Sequence, residues 1–295
     1  MDERTFVDAH GVEVFTRWWT VDVPRGVVLI SHGASEHCGR YERFARALNA
    51  SGFAAVALDH RGHGRTALST PRGVMGAGGG NAVIGDLHEL RTAATTTVGN
   101  DAPLFLFGHS MGSLIALAYL TQHADGLAGS VLCGIPANVD DAASLAPLLQ
   151  SFADAGMRDQ PIENLLGDNN IPFAPARTPF DWLSRDADEV DRYIADPMCG
   201  DDNSLTYGYL IDLFEVVAPA CQHLTSISCP VFVIAGDQDP AAGMGAHATT
   251  LTRALETAAV DVDLRLYQGA RHELLNETNR DQTTADIIDW LQTHR

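Results

Sequence analysis

The sequence predicts an α/β protein, with a mostly parallel β-sheet flanked by helices and interrupted by a helical insertion. Three observations carry that prediction. Short, unbroken apolar runs alternate with stretches of helical periodicity, as expected for strands buried on both faces and joined by crossover helices. Between about residue 136 and residue 221 that alternation stops, and amphipathic pieces separated by Pro-rich loops take its place. Finally, LFLFGHSMGSLIALAYL (104–120) sets Gly-x-Ser-x-Gly at the join of an apolar strand run and an apolar helix run.

The chain opens on alternating residues at 5–9 and 12–23 around His10-Gly11, which reads as a β-hairpin. The β-branched run Gly26–Ser31 is the first buried strand. Residues 41–51 have helical spacing and stop at Gly52. FAAVAL (Phe53–Leu58) is a second buried strand, 86–98 a helix, 104–107 a strand, 110–122 a helix and 129–133 a strand. This order argues for a parallel sheet with right-handed crossovers. In the insertion, 145–152, 188–195 and 205–217 are amphipathic. PVFVIA (230–235) restores the strand pattern. A helix over 246–258, a strand over Val262–Tyr267 and a helix over 281–293 follow. The expected division is a core of residues 1–135 and 222–295 with a helical cap at 136–221. The Gly-rich stretch 73–80 lacks a following Lys-Ser or Lys-Thr and is expected to be a flexible surface loop.

Composition narrows the function. The 295 residues carry a net charge of −19, which opposes binding to nucleic acid and to anionic membranes. Every basic residue besides histidine is arginine, so Schiff-base and P-loop lysine chemistry are excluded. Five widely spaced cysteines with no CxxC pair suggest free thiols in a reducing compartment rather than a zinc or redox site. The polar start MDERTFVDAHG has no apolar leader, and no apolar run reaches the roughly 20 residues of a membrane helix. A cytoplasmic chain is the expectation.

Gly108-His109-Ser110-Met111-Gly112 fits the nucleophile elbow, a strained strand-to-helix turn that lifts a serine hydroxyl clear of the sheet edge. Serine is a weak nucleophile and needs a base, which in turn needs an orienting acid; on such folds the chain order is Ser, acid, His. The strand 230–235 runs into Gly-Asp237-Gln-Asp239-Pro. Asp239 lies further out in the turn and is favoured as the acid, with Asp237 as a brace of the loop. The strand Val262–Tyr267 leads to His272, the expected base. Of the other histidines, His60 and His63 resemble a metal pair but lack a supporting ligand set, so no metal and no cofactor are expected. Oxyanion donors are expected from the backbone N–H of Met111 and from Ala34 in the loop after the first buried strand.

Taken together, several motifs make the chain resemble the monoacylglycerol lipase and lysophospholipase branch of the α/β-hydrolase superfamily. They are His32-Gly33-Ala34, Glu36-His37, Gly39-Arg40-Tyr41, Asp59-His60-Arg61-Gly62-His63-Gly64, GHSMGS, GDQDP and Arg271-His272-Glu273. They run from about residue 29 to 277, outside the insertion. The resemblance implies Ser110 as nucleophile, Asp239 as acid, His272 as base, Ala34 and Met111 as oxyanion donors, and the insertion as a cap lining an acyl tunnel. The implied reaction is hydrolysis of a small ester with an acyl chain, most simply a monoacylglycerol or lysophospholipid. Short soluble esters are the alternative; an amide or peptide substrate and a non-catalytic ligand-binding protein are less favoured. Two positions depart from the pattern. Cys38 stands where small residues such as serine are common and is either thiol-sensitive or packed. Ala241-Ala242 replaces bulkier aliphatics after the acid. The apolar residues Leu145, Leu148, Leu149, Phe152, Leu165 and Leu166 either pack onto the core or form a greasy lid.

Overall fold

The computed structural model describes residues 1–99, 102–163 and 167–295; the expected lid residues Leu165 and Leu166 lie outside them. β1 (Asp2–Val7) and β2 (Glu13–Trp19) form the predicted hairpin, paired antiparallel from Asp2–Trp18 to Val7–Glu13. β2 continues antiparallel onto β4 (Phe53–Leu58). The remaining pairings are all parallel and join β4, β3 (Gly26–Ser31), β5 (Leu104–His109), β6 (Leu127–Cys133), β7 (Val231–Gly236) and β8 (Val262–Tyr267). The eight strands form one sheet in the order β1-β2-β4-β3-β5-β6-β7-β8. The predicted α/β architecture is therefore present, and its central strands are buried at every position because their side chains meet helices on both faces.

Helices α1 (Glu42–Ala50), α2 (Gly79–Val98), α3 (Met111–His123), α7 (Ala246–Thr257) and α8 (Arg280–Thr293) flank the sheet. α3 is apolar all round and has ten buried residues, as a helix enclosed by the core must be. Residues 136–221 contribute α4 (Ala142–Asp154), α5 (Ala187–Ala195) and α6 (Tyr207–Gln222), and among the described residues no strand of the sheet. These helices serve different cores. Tyr209, Leu213 and Val217 of α6 join the apolar cluster that contains α2 and α3. Val190 and Tyr193 of α5 build a separate cluster with Phe180, Trp182 and Leu183. No described helix is long and apolar enough to cross a membrane.

One expectation is corrected. The Gly-rich stretch 73–80 is at the surface over residues 76–78, as expected, but it is tied down along its length rather than a flexible loop. Met75 is 1% exposed. The guanidinium of Arg61, itself buried, donates to the Ala77 carbonyl at 2.8 Å, and Thr206 Oγ1 donates to the Gly73 carbonyl at 2.8 Å. A Cβ at Gly80 would run into the carbonyl of Asp212 in α6. Glycine there lets two helix backbones approach closely, and α2 starts at Gly79, seven residues before the predicted helix.

Candidate active site

Ser110 stands between β5 and α3 with φ 51° and ψ −123°, a conformation that costs a non-glycine residue about 1–3 kcal/mol. The neighbouring chain holds it there. Its N–H donates to the Cys133 carbonyl at the end of β6 at 2.9 Å. Its carbonyl accepts from the N–H and the hydroxyl of Ser113 at 2.8 and 2.6 Å. Both flanking glycines are required sterically. A Cβ on Gly112 would strike the Ser31 and His32 carbonyls, and one on Gly108 would strike the carbonyl of Gly112.

Asp239 follows β7 and is fully buried. Its Oδ2 accepts from His272 Nδ1 at 2.8 Å, and its Oδ1 accepts from the Ala241 and Ala242 N–H groups at 3.0 and 3.2 Å. Asp237 takes a different part. Its Oδ1 accepts from the Gly269 N–H at 2.7 Å and ties the loop after β7 to the loop after β8. With the Nδ1 proton committed to Asp239, Nε2 of a neutral His272 keeps its lone pair. The ring is 2% exposed and lies between His109 and Trp182, at centroid distances of 4.8 and 4.9 Å. Burial alone would push its pKa down, but the charge and hydrogen bond of Asp239, helped by Glu273 and Glu36, hold it above 6.5.

The loop after β3 is fixed by two buried side chains that composition and spacing had left without a role. His32 Nδ1 donates to the Gly33 carbonyl at 2.7 Å, and its Nε2 accepts from the His60 N–H at 2.9 Å, so its tautomer is set. In a trans peptide the N–H points away from the carbonyl, so this bond also fixes the direction of the Ala34 N–H. Glu36 Oε1 accepts from the Gly33 N–H at 2.6 Å and from Tyr41 Oη at 2.8 Å. Arg40 then joins this loop to the histidine loop. Nη1 bonds Glu36 at 2.9 Å, and the fork bonds both oxygens of Glu273 at 2.5 and 2.7 Å. Burial pushes the Glu273 carboxyl up, yet Arg40 beside it brings it down to about 2. The sequence signal was present, as charged residues inside motif loops, but their pairing spans 233 positions.

Ser110, Ala34 and Met111 line one cavity of about 300 Å³. Its other walls are largely apolar: Leu145 from α4, Leu210, Leu213 and Phe214 from α6, Leu114 from α3, and Trp182. Among the described residues the lining contains no carboxylate and no basic side chain. Leu145 and Leu149 pack against the main core, while Leu148 is 54% exposed.

Other candidates have structural occupations. His60 Nε2 contacts Ser31 Oγ at 2.9 Å, and burial brings its pKa down to about 3. His37, Asp196 and Cys199 bring ligand atoms within 4.8 Å of one another. However, the Gly39 N–H donates to His37 Nδ1, which puts the ring proton on Nε2 facing Asp196 at 2.9 Å. That tautomer braces the insertion and offers no lone pair to a metal. Cys38 is fully buried, and burial pushes its thiol well above its ordinary pKa, so it packs as an inert group. All five cysteines are free.

Comparison with known proteins gives the family. The family model described as serine aminopeptidase, S33 (Hydrolase_4) matches residues 22–279. Monoacylglycerol lipase of Mycolicibacterium smegmatis is 32% identical, over 99% of this chain and 97% of that protein. Monoglyceride lipase of Homo sapiens is 29% identical, over 92% of this chain and 83% of that protein. The solved structure of a thermostable carboxyl esterase from Bacillus coagulans, in complex with glycerol, superposes with a TM-score of 0.90 at 30% identity, covering 99% of this chain and 98% of that one.

Proposed function

The chain belongs to the serine aminopeptidase S33 family of α/β-hydrolases and is a carboxylic ester hydrolase of the monoacylglycerol lipase type; from that premise we propose that it cleaves monoacylglycerols through a Ser110–His272–Asp239 triad. The observation that carries the proposal is the cavity. It joins the strained serine to a pocket walled by leucine, phenylalanine and tryptophan, which suits an acyl chain. Residues 136–221 act as the cap, because together they supply most of that apolar wall: Pro136 and Ala137, Leu145 of α4, Trp182, Leu205, and Leu210, Leu213 and Phe214 of α6.

In this mechanism His272 Nε2 takes the Ser110 proton as Oγ attacks the ester carbonyl. The Ala34 and Met111 N–H groups hold the oxyanion. His272 then gives its proton to the leaving glycerol oxygen, and an acyl-enzyme remains. Water, activated by the same ring, releases the fatty acid and restores Ser110. Asp239 holds the imidazole tautomer and stabilises its charge. The reaction needs no external oxidant, metal or organic cofactor.

The family description raises peptide hydrolysis as a rival. An aminopeptidase must pair the α-ammonium of its substrate, and the described cavity lining has no carboxylate for that purpose. Lysophospholipids remain in the same substrate class. Two activity series test the proposal: p-nitrophenyl esters with two to sixteen acyl carbons, and 1-monoacylglycerols of matching length. Activity peaking at medium or long chains and extending to monoacylglycerols supports it. Activity confined to acetate and butyrate esters assigns a short-chain esterase, and turnover of aminoacyl amides in preference to esters overturns the ester reading.

A further inference from the structure

β8 ends the sheet and pairs on one side only, with β7. Among the described residues nothing pairs with its outer edge. Edge strands are usually guarded by lysine, proline, a bulge or a covering element, because their free N–H and C=O groups invite another strand. The opposite edge, β1 (DERTFV), opens with three charged residues. β8 (VDLRLY) has no proline, keeps an unbroken register with β7, and exposes residues 263–266. Leu264 is 38% and Leu266 42% exposed.

We infer that β8 is a homodimer edge, pairing antiparallel with β8 of a second copy across a two-fold axis at Leu264. Side chains alternate along the strand. Asp263 and Arg265 face α8, where Asp263 Oδ2 accepts from Trp290 Nε1 at 2.8 Å and Arg265 bonds Asp286 at 2.6 Å. Val262, Leu264 and Leu266 face the other side, with Leu266 against the start of α7. A two-fold axis normal to the sheet keeps each face on its own side. Opposed residues then differ by an even number of positions. With Leu264 opposite its own copy, Val262 meets Leu266 and Asp263 meets Arg265. Over residues 262–266 every opposed pair is apolar with apolar or acid with base. A slip to the next permitted register on one side sets Asp263 against Asp263, and on the other side Arg265 against Arg265, both destabilising. The strand is thus palindromic in chemistry, as an isologous contact requires. The pairing charges remain reachable, since the Arg265 side chain is 48% exposed while bonded to Asp286. None of these residues lines the Ser110 cavity.

Sedimentation velocity over a range of protein concentrations tests this. The wild type is expected to shift from monomer to dimer. Added salt should strengthen the dimer, because each copy carries a net charge of −19. Leu264→Lys, which leaves the α8 contacts intact, is expected to weaken association at least about tenfold. Asp263→Arg and Arg265→Asp, each of which opposes like charges, should each weaken it, and the double exchange should restore it. Melting temperature and esterase activity report that each variant is folded. A wild type that is monomeric at every concentration overturns the inference, as does a dimer unmoved by Leu264→Lys. Single charge variants that dimerise like wild type overturn the register.

Discussion

Asp239→Asn is the most informative single change. Asp239 Oδ1 holds two backbone N–H groups, those of Ala241 and Ala242, at 3.0 and 3.2 Å. An asparagine must keep its carbonyl oxygen there, since its NH2 would meet two donors. The amide nitrogen is then forced toward His272 Nδ1, where the carboxylate now accepts at 2.8 Å. His272 must accept at Nδ1 and carry its proton on Nε2, the tautomer that cannot take a proton from serine. In serine-protease triads the same change lowers kcat about 10⁴-fold, which corresponds to about 5.5 kcal/mol of transition-state stabilisation. A similar loss is expected here, because the bonding of the second oxygen dictates the wrong tautomer in the same way. The assay is steady-state hydrolysis of p-nitrophenyl butyrate, with melting temperature as the check on folding. A folded Asp239→Asn enzyme retaining more than a tenth of wild-type kcat would refute the reasoning, and so would equal loss in an Asp237→Asn variant.

In the proposed triad His272 is a neutral base whose pKa is raised, so the acid limb of kcat/KM should lie above 6.5. The sign is opposite for stability: the protonated ring favours the folded state, so this contribution is full below 6.5 and is lost as pH rises through the folded value. Glu273→Gln removes a neighbouring negative charge and should move the acid limb down, as a pH–rate profile would register. Arg40→Met leaves Glu36 and Glu273 buried without their partner and should cost about 3–5 kcal/mol in a denaturant titration. Leu210→Trp, placed in the cavity wall on α6, should lower activity on long-chain esters relative to butyrate. An unchanged chain-length profile would move the acyl site elsewhere.

Much of the fold was legible because strands buried on both faces must be continuously apolar. GVVLIS, FAAVAL and PVFVIA can be read that way with no knowledge of their partners. The elbow was legible for a steric reason, since only glycine tolerates the carbonyls that surround 108 and 112. The Gly-rich stretch was misjudged because flexibility and close packing use the same residue. Only the approach of Asp212 and the bonds from Arg61 tell them apart. Likewise the periodicity of 205–217 announced a helix but not its packing into the main core between α2 and α3. Arg40 was visible as a motif residue, but its clasp on Glu36 and Glu273 is a product of tertiary folding. The edge position of β8 was legible in part, because Asp263 and Arg265 break the continuous apolar run that marks the central strands, but the exposure of its apolar side, Leu264 and Leu266, was not.

The central claim is that Ser110 is the nucleophile that carries the acyl group. The direct measurement is intact mass spectrometry after reaction with a fluorophosphonate, followed by peptide mapping. One adduct per chain on Ser110 is expected, with loss of ester hydrolysis in step with labelling and no adduct in Ser110→Ala. An adduct on another residue, or full hydrolysis by Ser110→Ala, would contradict the account.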